Sequence, residues 1–540
     1  VNKMLYVPVY LVFIPIISSM IIFIFRQKAI LSLAFVAQSV MSVLAILYFV
    51  QYQDDLSQTM FTFGNWNPMI GIGFVNDSIS MLFVFLTIFM WWMILLYTFH
   101  YHNDHRNFLF FLLFLEGIFL GLLQTNDLFN MFVFIELITI IVTILVAYEK
   151  AGNSFRAAIY YLLINTAGIL SFLLGIILIY YSFGNINITI VTSMMSNASL
   201  SDTLTVRFAF VLIITSISVK SAMFPLFTWL PRAHAVAKSG VSALLSGIVV
   251  KGGLYVLIRM TILFQPAGYN MDIIILGLGL TTALVGVIFA MTQTDIKQIL
   301  AFHTVSQIGI MVIGISFLNG DGFYGGVLHI VNHALFKSLL FLGAGVIIHR
   351  YKTKKIHDIR GVFKTMPLLS ILMIIGMLSI TGAPLFNGFI SKSIIKYDLP
   401  PYAYWILQLV NLGTATSFVK LSQIFFGPKE TLESKGTVLE YIPMILLAGS
   451  SIVLGTMHTP IMNVLLNVDL SYYKSFSMQY LGEYLVTIAL GYVVYRFIIN
   501  TYHNAVRKVR EFIISFETAN ILFLSFLSVM IIFFVLLPTL

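Results

Sequence analysis

The sequence predicts an all-α bundle of membrane-spanning helices, and three observations carry that prediction. Of the 540 residues, 59% are hydrophobic and 9% are charged, with a mean hydropathy of +0.97; a water-facing surface needs far more charge than this, so the chain belongs in lipid. Apolar runs of about 20 residues, the length at which an α-helix crosses a bilayer, recur between short polar breaks. Lysine and arginine concentrate in alternate breaks, as they do in polytopic membrane proteins.

Taken in order, the runs place spans near 4–25, 29–50, 78–99, 107–123, 128–147, 158–182, 206–230, 240–263, 272–292, 298–318, 322–348, 367–395, 402–426, 438–457, 479–499 and 517–538. That is about sixteen spans, with no polar stretch long enough for a separate soluble domain. The first run lacks a small-residue cleavage signal and is expected to remain as span 1. Basic residues mark the odd loops: Arg26 and Lys28, Arg106, Lys150 and Arg156, Arg232 and Lys238, Lys297, then Arg350, Lys352, Lys354, Lys355, Arg360 and Lys364. Asp54, Asp55, Asp127 and Asp321 mark the other side. The positive-inside rule then puts loop 11 in the cytoplasm and both termini outside. Residues 500–516 combine Arg507, Lys508 and Arg510 with an apolar face. They read equally as an amphipathic surface helix or as an ordinary basic loop.

The net charge of +9 sits in these loops, not in a basic run interleaved with aromatics, so nucleic acid is not an expected partner. There is no cysteine, which excludes disulfides, thiolate zinc sites, cysteine-ligated iron–sulfur clusters and thioether-attached haem. No cofactor is expected in this chain, and any redox chemistry belongs to another subunit.

Two spans are interrupted by proline in the same local sequence. Phe224-Pro225-Leu226-Phe227 lies in span 7, and Ala383-Pro384-Leu385-Phe386 in span 12. The same offset brings span 4 close to span 9, which divides the chain into spans 1–3 (1–106), a first five-span unit (107–263), a second (272–426) and C-terminal spans (438–540). Paired interruptions point to an ion site at the bilayer midplane, because a broken helix offers unpaired carbonyls and amides.

Charges inside apolar runs are costly, by about 2.5–3.5 kcal/mol on insertion scales, and each one needs a partner, a water-filled cavity or a function. Glu136, Lys220 and Lys251 have almost wholly apolar neighbours; His329, His333 and Lys337 follow at helical spacing, Lys392 lies just past the second break and Lys420 in span 13. Lysine suits proton movement because burial and nearby carboxylates pull its proton affinity in opposite directions. Glu136 and Lys220 form the most economical pair. His329 and His333 fit a proton relay. A metal site is disfavoured, since no cysteine exists and no glutamate follows the first histidine as in a zincin, so no metal ligand is assigned. His303 fits packing or relay, and His349 an interface. For Glu116 in span 4, a local hydrogen-bonded partner and an ion path remain open.

At these residues the sequence resembles a known family. Lys220-Ser-Ala-Met-Phe-Pro-Leu-Phe-Thr-Trp-Leu-Pro231-Arg-Ala-His234, then Val241-Ser-Ala-Leu-Leu-Ser-Gly247-Ile-Val-Val-Lys251-Gly-Gly-Leu-Tyr255, resemble the signature of the antiporter-like subunits of the Mrp antiporter, membrane-bound hydrogenase and complex I superfamily. Support continues through Asp295–Gly309, His329–Gly343 and Gly388-Phe-Ile-Ser-Lys392, over about residues 77–427. Thr125-Asn-Asp127 through Glu136 looks most like the Mrp D subunit and its hydrogenase counterparts. The resemblance implies a 14-span core of two inverted five-helix units, each with a half-channel, joined by a polar axis; the span count adds about two further C-terminal spans, a departure from a plain Mrp D subunit. The resemblance also implies that Glu136, Lys220, Lys251 and Lys392 correspond to the family's span 5 glutamate, span 7 and span 8 lysines and span 12 exit residue. His329 and His333 match polar span 11 positions. Asp127, His234, His303, Lys420 and Glu116 stand as accessory candidates; Glu116 has no family role to transfer. Ile135 replaces the aromatic that commonly precedes the glutamate, and Lys238 stands where proline is frequent.

The expected function is therefore translocation of H⁺, Na⁺ or both within a multisubunit complex in a prokaryotic cytoplasmic membrane, with other membrane subunits as partners. A stand-alone solute carrier would need a pocket of varied polar side chains. A membrane scaffold, the third alternative, predicts that neutralising the buried charges costs stability without affecting transport.

Overall fold

The computed structural model describes residues 3–25, 32–53, 60–101, 105–149, 151–269, 271–428, 438–512 and 514–536. Arg26, Lys28, Asp54, Asp55 and Lys150, which enter the topology argument, lie outside them. The apolar runs are helical because lipid offers no partner to an exposed N–H or C=O, so each segment pairs its own backbone. Val7–Ile24, Leu33–Tyr52, Ser78–Tyr101, His105–Gln124, Leu128–Val146 and Gly152–Phe183 form the first six long helices. Among the described residues, twelve helices are long and apolar enough to cross a membrane, thirteen with one bent pair. The sixteen expected spans differ from this at three places. Spans 7 and 12 are broken, and the helix Pro401–Ser422 carries Gln408, Asn411, Thr414, Thr416, Ser417 and Lys420 along its length.

The breaks fall at the two proline motifs. Leu204–Lys220 stops, and helix resumes at Trp229–Val236; Pro367–Thr381 stops, and helix resumes at Asn387–Tyr397. The second stop is made by Gly382, whose φ of +82° is a left-handed conformation that costs a glycine little. Two features depart from the sequence reading. Met60–Thr62 and Gly73–Val75 pair as a short antiparallel hairpin in an otherwise helical chain. The expected span 438–457 is followed, after an 89° bend, by a second helix, His458–Leu466. Residues 500–516 contain a two-turn helix, His503–Arg510, packed on Met271–Thr292.

Helix ends are satisfied locally. Asp127 caps Leu128–Val146 by accepting from the Asn130 N–H at 2.7 Å, and Asp295 caps Ile296–Ile315 by accepting from Lys297 and Gln298. Burial pushes the Asp127 carboxyl above the ordinary range, against the N–H groups of Asn130 and Phe129. At Asp77, burial pushes the other way from the Arg259 guanidinium, and the ion pair wins, holding that carboxyl below its usual value.

Two helices are enclosed along their whole apolar stretch, Ser239–Ala267 and Asp321–Tyr351, whereas Met478–Ile499 has 11% of its stretch buried and lies at the periphery. Close backbone approach joins the helices that follow Met271. A Cβ on Gly309 would lie 2.2 Å from the Ala283 amide nitrogen, so Ile296–Ile315 packs against Met271–Thr292 only because glycine stands there. Asp321–Tyr351 in turn packs against Ile296–Ile315, Pro367–Thr381 and Asn387–Tyr397. The enclosed helices are the ones that carry Lys251, His329, His333 and Lys337.

Candidate functional site

Lys220 is the last residue of its helix, 8% exposed. Its ammonium donates to Thr139 Oγ1 at 2.7 Å and to the Tyr161 hydroxyl at 3.2 Å, and it lies 5.6 Å from the Tyr161 ring centre. Glu136 stands one turn before Thr139 on the same helix, within electrostatic reach of Lys220 but not ion-paired with it. Its Oε2 is buried without a hydrogen-bond partner. The expected economical pair is therefore a group of four, in which hydroxyls from two other helices hold the lysine and the carboxylate acts from a distance. The break is supported by Trp229, whose indole N–H donates to Val219 O at 2.8 Å, and by Thr282, whose hydroxyl accepts from the Phe224 N–H at 2.9 Å.

Lys251 lies two residues after a π turn, Leu245–Val249. The wider turn presents the Ser246 carbonyl to the lysine's own Nζ, which also hydrogen-bonds with His333 Nδ1 at 2.7 Å. With Lys251 protonated, that nitrogen accepts and the ring proton of neutral His333 resides on Nε2, which is buried and unpaired. Lys337 follows one turn later, its Nζ buried without a hydrogen-bond partner and 5.9 Å from the Phe341 ring centre. One turn in the other direction, His329 bridges Ser391 Oγ at 2.9 Å and Gln307 Oε1 at 3.0 Å. Gln307 Nε2 is itself unpaired, so a flip of that amide coupled to a tautomer change preserves both contacts. The two histidines turn to different partners.

Ser391 precedes Lys392, so the row continues in sequence where it leaves His329. Lys392, 3% exposed, donates across the second break to Ile380 O at 2.8 Å. It lines a cavity with Lys396, Asn411, Tyr480, Glu483 and Tyr484. Glu136, Lys220, Lys251, His333, Lys337, His329 and Lys392 thus lie within the helical bundle. Asn332 Nδ2 donates to Asn387 O at 2.8 Å, fixing the histidine helix to the second break.

The accessory candidates divide. Lys420 donates to Met291 O at 2.5 Å and to Gln293 O at 2.6 Å, capping the C-terminal end of Met271–Thr292 where the helix dipole favours a cation. Asp127 is the N-cap described above. Glu116 is fully buried and bonded to Gln38 Nε2, the local partner that one of its two readings requires. His234 stacks on Phe341 at 4.7 Å and His303 lies 4.9 Å from Phe418; all four of their ring nitrogens are buried and unpaired. Sequence reading missed Thr139, Tyr161, Gln307 and Ser391. The available signal was weak: hydroxyls and an amide within one or two turns of a buried charge.

A family model described as "NADH:quinone oxidoreductase/Mrp antiporter, TM" matches residues 125–418. A Staphylococcus aureus (strain Mu3) protein named as antiporter subunit mnhD2 is 30% identical over 388 residues, covering 71% of this chain and 77% of its own length. Among solved structures, a chain of the membrane-bound sulfane sulfur reductase, an archaeal respiratory membrane complex, is similar with a TM-score of 0.80 and 24% identity, covering 89% of this chain and 99% of that one. A chain of the Mrp complex from Dietzia sp. gives a TM-score of 0.78 at 21% identity, over 94% of this chain and all of that one. These two share the fold. With more than half its length inside the family model and a relative at this identity over most of both chains, the protein belongs to the NADH:quinone oxidoreductase/Mrp antiporter transmembrane family.

Proposed function

We propose that the chain is an ion-translocating, antiporter-like subunit of a multisubunit membrane complex. It moves H⁺, Na⁺ or both along the buried row that runs from Glu136 and Lys220 through Lys251, His333 and His329 to Lys392. The observation that carries this reading is the hydrogen bond between Lys251 Nζ and His333 Nδ1, 2.7 Å long and fully enclosed. A protonated lysine facing an accepting imidazole nitrogen can pass its proton to Nδ1, leaving neutral amine and imidazolium. The imidazolium then releases the other proton from Nε2, which Lys337 follows by one turn. The unpaired polar atoms along the row, including Glu136 Oε2, His333 Nε2, Gln307 Nε2, Asn332 Oδ1 and Asn387 Oδ1, support the same reading. Buried polar groups are normally paired, and such a series is what a wet, rearranging path requires.

In this reading Glu136 biases the protonation of Lys220, and its neutralisation releases the proton toward Lys251. The two breaks open one half-channel in each five-span unit, 107–263 and 272–426, and loop 350–364 faces the cytoplasm with both ends of the chain opposite. The test is ion flux in vesicles containing the assembled complex, with complex abundance measured in parallel. Glu136→Gln and Lys220→Ala should each abolish most flux at normal abundance. Lys220→Arg should also impair it, because arginine keeps its proton while preserving charge. Normal flux in Lys220→Arg, or flux losses that simply track missing complex, would favour a scaffold.

A further inference from the structure

A second charged cavity lies away from this row. It opens on the face of the basic loop and has a volume of about 400 Å³. Its walls come from the ends of five helical segments, and Lys238, Lys297, Lys354, His349 and Glu149 line it, with Ser239 and Gly240 at the start of the enclosed helix Ser239–Ala267.

The lysines are arranged unusually for a surface. Lys297 is 4% exposed, and its ammonium donates to Ala237 O at 2.7 Å; Lys354 reaches in from the loop to donate to Ala235 O at 2.8 Å. Both acceptors lie at the end of Trp229–Val236, so the C-terminus of that half-helix anchors two cations at the cavity wall. Among the described residues, neither lysine is ion-paired. Glu149 and Asp295 are the carboxylates within electrostatic reach of Lys297; Glu149 is exposed, and Asp295 accepts backbone N–H bonds as a helix cap. A buried ammonium with a carbonyl and no counter-ion is costly, and an anion in the cavity would offset that cost. The first-turn N–H groups of a 29-residue helix point the same way, since a helix start favours negative charge.

We infer that this cavity binds a phosphate group, held by Lys297, Lys354 and Lys238 against the start of the Ser239 helix. The same chemistry comes from two sources, the headgroup of an anionic phospholipid or free inorganic phosphate. Basic pockets between helices on this face of membrane proteins are suited to the first. The site lies apart from the Lys251–His333 contact, and its occupancy does not depend on what the buried row transports.

The experiment uses the assembled complex purified from membranes. Native mass spectrometry after exchange into mixed phosphatidylcholine and phosphatidylglycerol should show phosphatidylglycerol retained on the wild type. Lys297→Gln should weaken that retention roughly tenfold, the loss expected for one charge-assisted contact. Lys354→Gln, at a half-buried position, should do the same if Lys297→Gln compromises assembly. Lys352→Gln with Lys355→Gln, two exposed charges on the same loop, should leave retention unchanged. In the second arm, inorganic phosphate is compared with chloride at matched ionic strength by thermal unfolding. A phosphate-specific rise in melting temperature, lost in either lysine variant while lipid retention is unaffected, would identify free phosphate as the source. If neither phosphatidylglycerol retention nor the phosphate shift responds to Lys297 or Lys354, the inference is wrong.

Discussion

The two broken helices hold their lysines in different ways. At the first break, Lys220 ends the half-helix before the gap and is gripped by side chains, Thr139 and Tyr161, from two other helices, with Glu136 a turn further along. At the second, Lys392 stands on the half-helix after the gap and reaches back to a backbone carbonyl, Ile380 O. The first environment is distributed over three helices and includes a carboxylate on one of them, so a change in charge or tilt there is felt by the lysine. The second is closed within its own broken span and faces a cavity to which a peripheral helix contributes Glu483. The same local sequence, Pro-Leu-Phe, thus frames one lysine held by side chains of neighbouring helices and another held by the backbone of its own broken span.

The largest expected effect lies between the two breaks. Lys251→Met should reduce ion flux by about 100-fold or more at unchanged complex abundance, because it removes the proton donor to His333. Flux within tenfold of wild type would place the path elsewhere. Next, Thr139→Val keeps shape while removing one of the two hydroxyls on Lys220, and should lower flux roughly tenfold. Ser393→Ala, in the cavity of the second break, should leave flux within about twofold, since the contact that holds Lys392 is backbone. The reverse ranking would overturn the contrast between side-chain and backbone support.

Glu483→Gln should slow flux by about threefold, the scale of an exposed charge acting across a wet cavity. The smallest effect is expected at Glu116, whose partner Gln38 serves an amide as well as an acid. Glu116→Gln should preserve both abundance and flux, while Glu116→Leu, by leaving Gln38 buried and unpaired, should cost about 1–3 kcal/mol and reduce assembly. Lost flux at full abundance in Glu116→Gln would instead bring Glu116 into the ion path.

What the sequence made legible follows from cost. A lysine or histidine in an apolar run is conspicuous because lipid makes it expensive, and Lys220, Lys251, His329, His333, Lys337 and Lys392 stand out on that ground alone. Thr139, Tyr161, Gln307 and Ser391 do not, since hydroxyls and amides are ordinary in membrane helices and their partners depend on how helices face one another. The separation of Glu136 from Lys220 was invisible for the same reason. Its cause is the position of Thr139, level with the lysine where the helix ends. Among fold features, the hairpin at 60–75 was missed because three-residue strands leave no period to read. The bend before His458–Leu466 had a signal in Pro460, which suits the first turn of a new helix better than the interior of an old one. Lys420 was conspicuous for the right physical reason, but its charge is used to close a helix end.

The π turn at Leu245–Val249 has a further consequence. Such a turn holds one residue more than an α turn, and everything beyond it is set round the axis by about 100° relative to an uninterrupted helix. Deleting a single residue there would restore regular winding and swing Lys251 away from His333, with every side chain in the row still present. The Lys251–His333 contact is thus specified by a count of residues as much as by their kinds, and a one-codon deletion would break it where a conservative substitution would not.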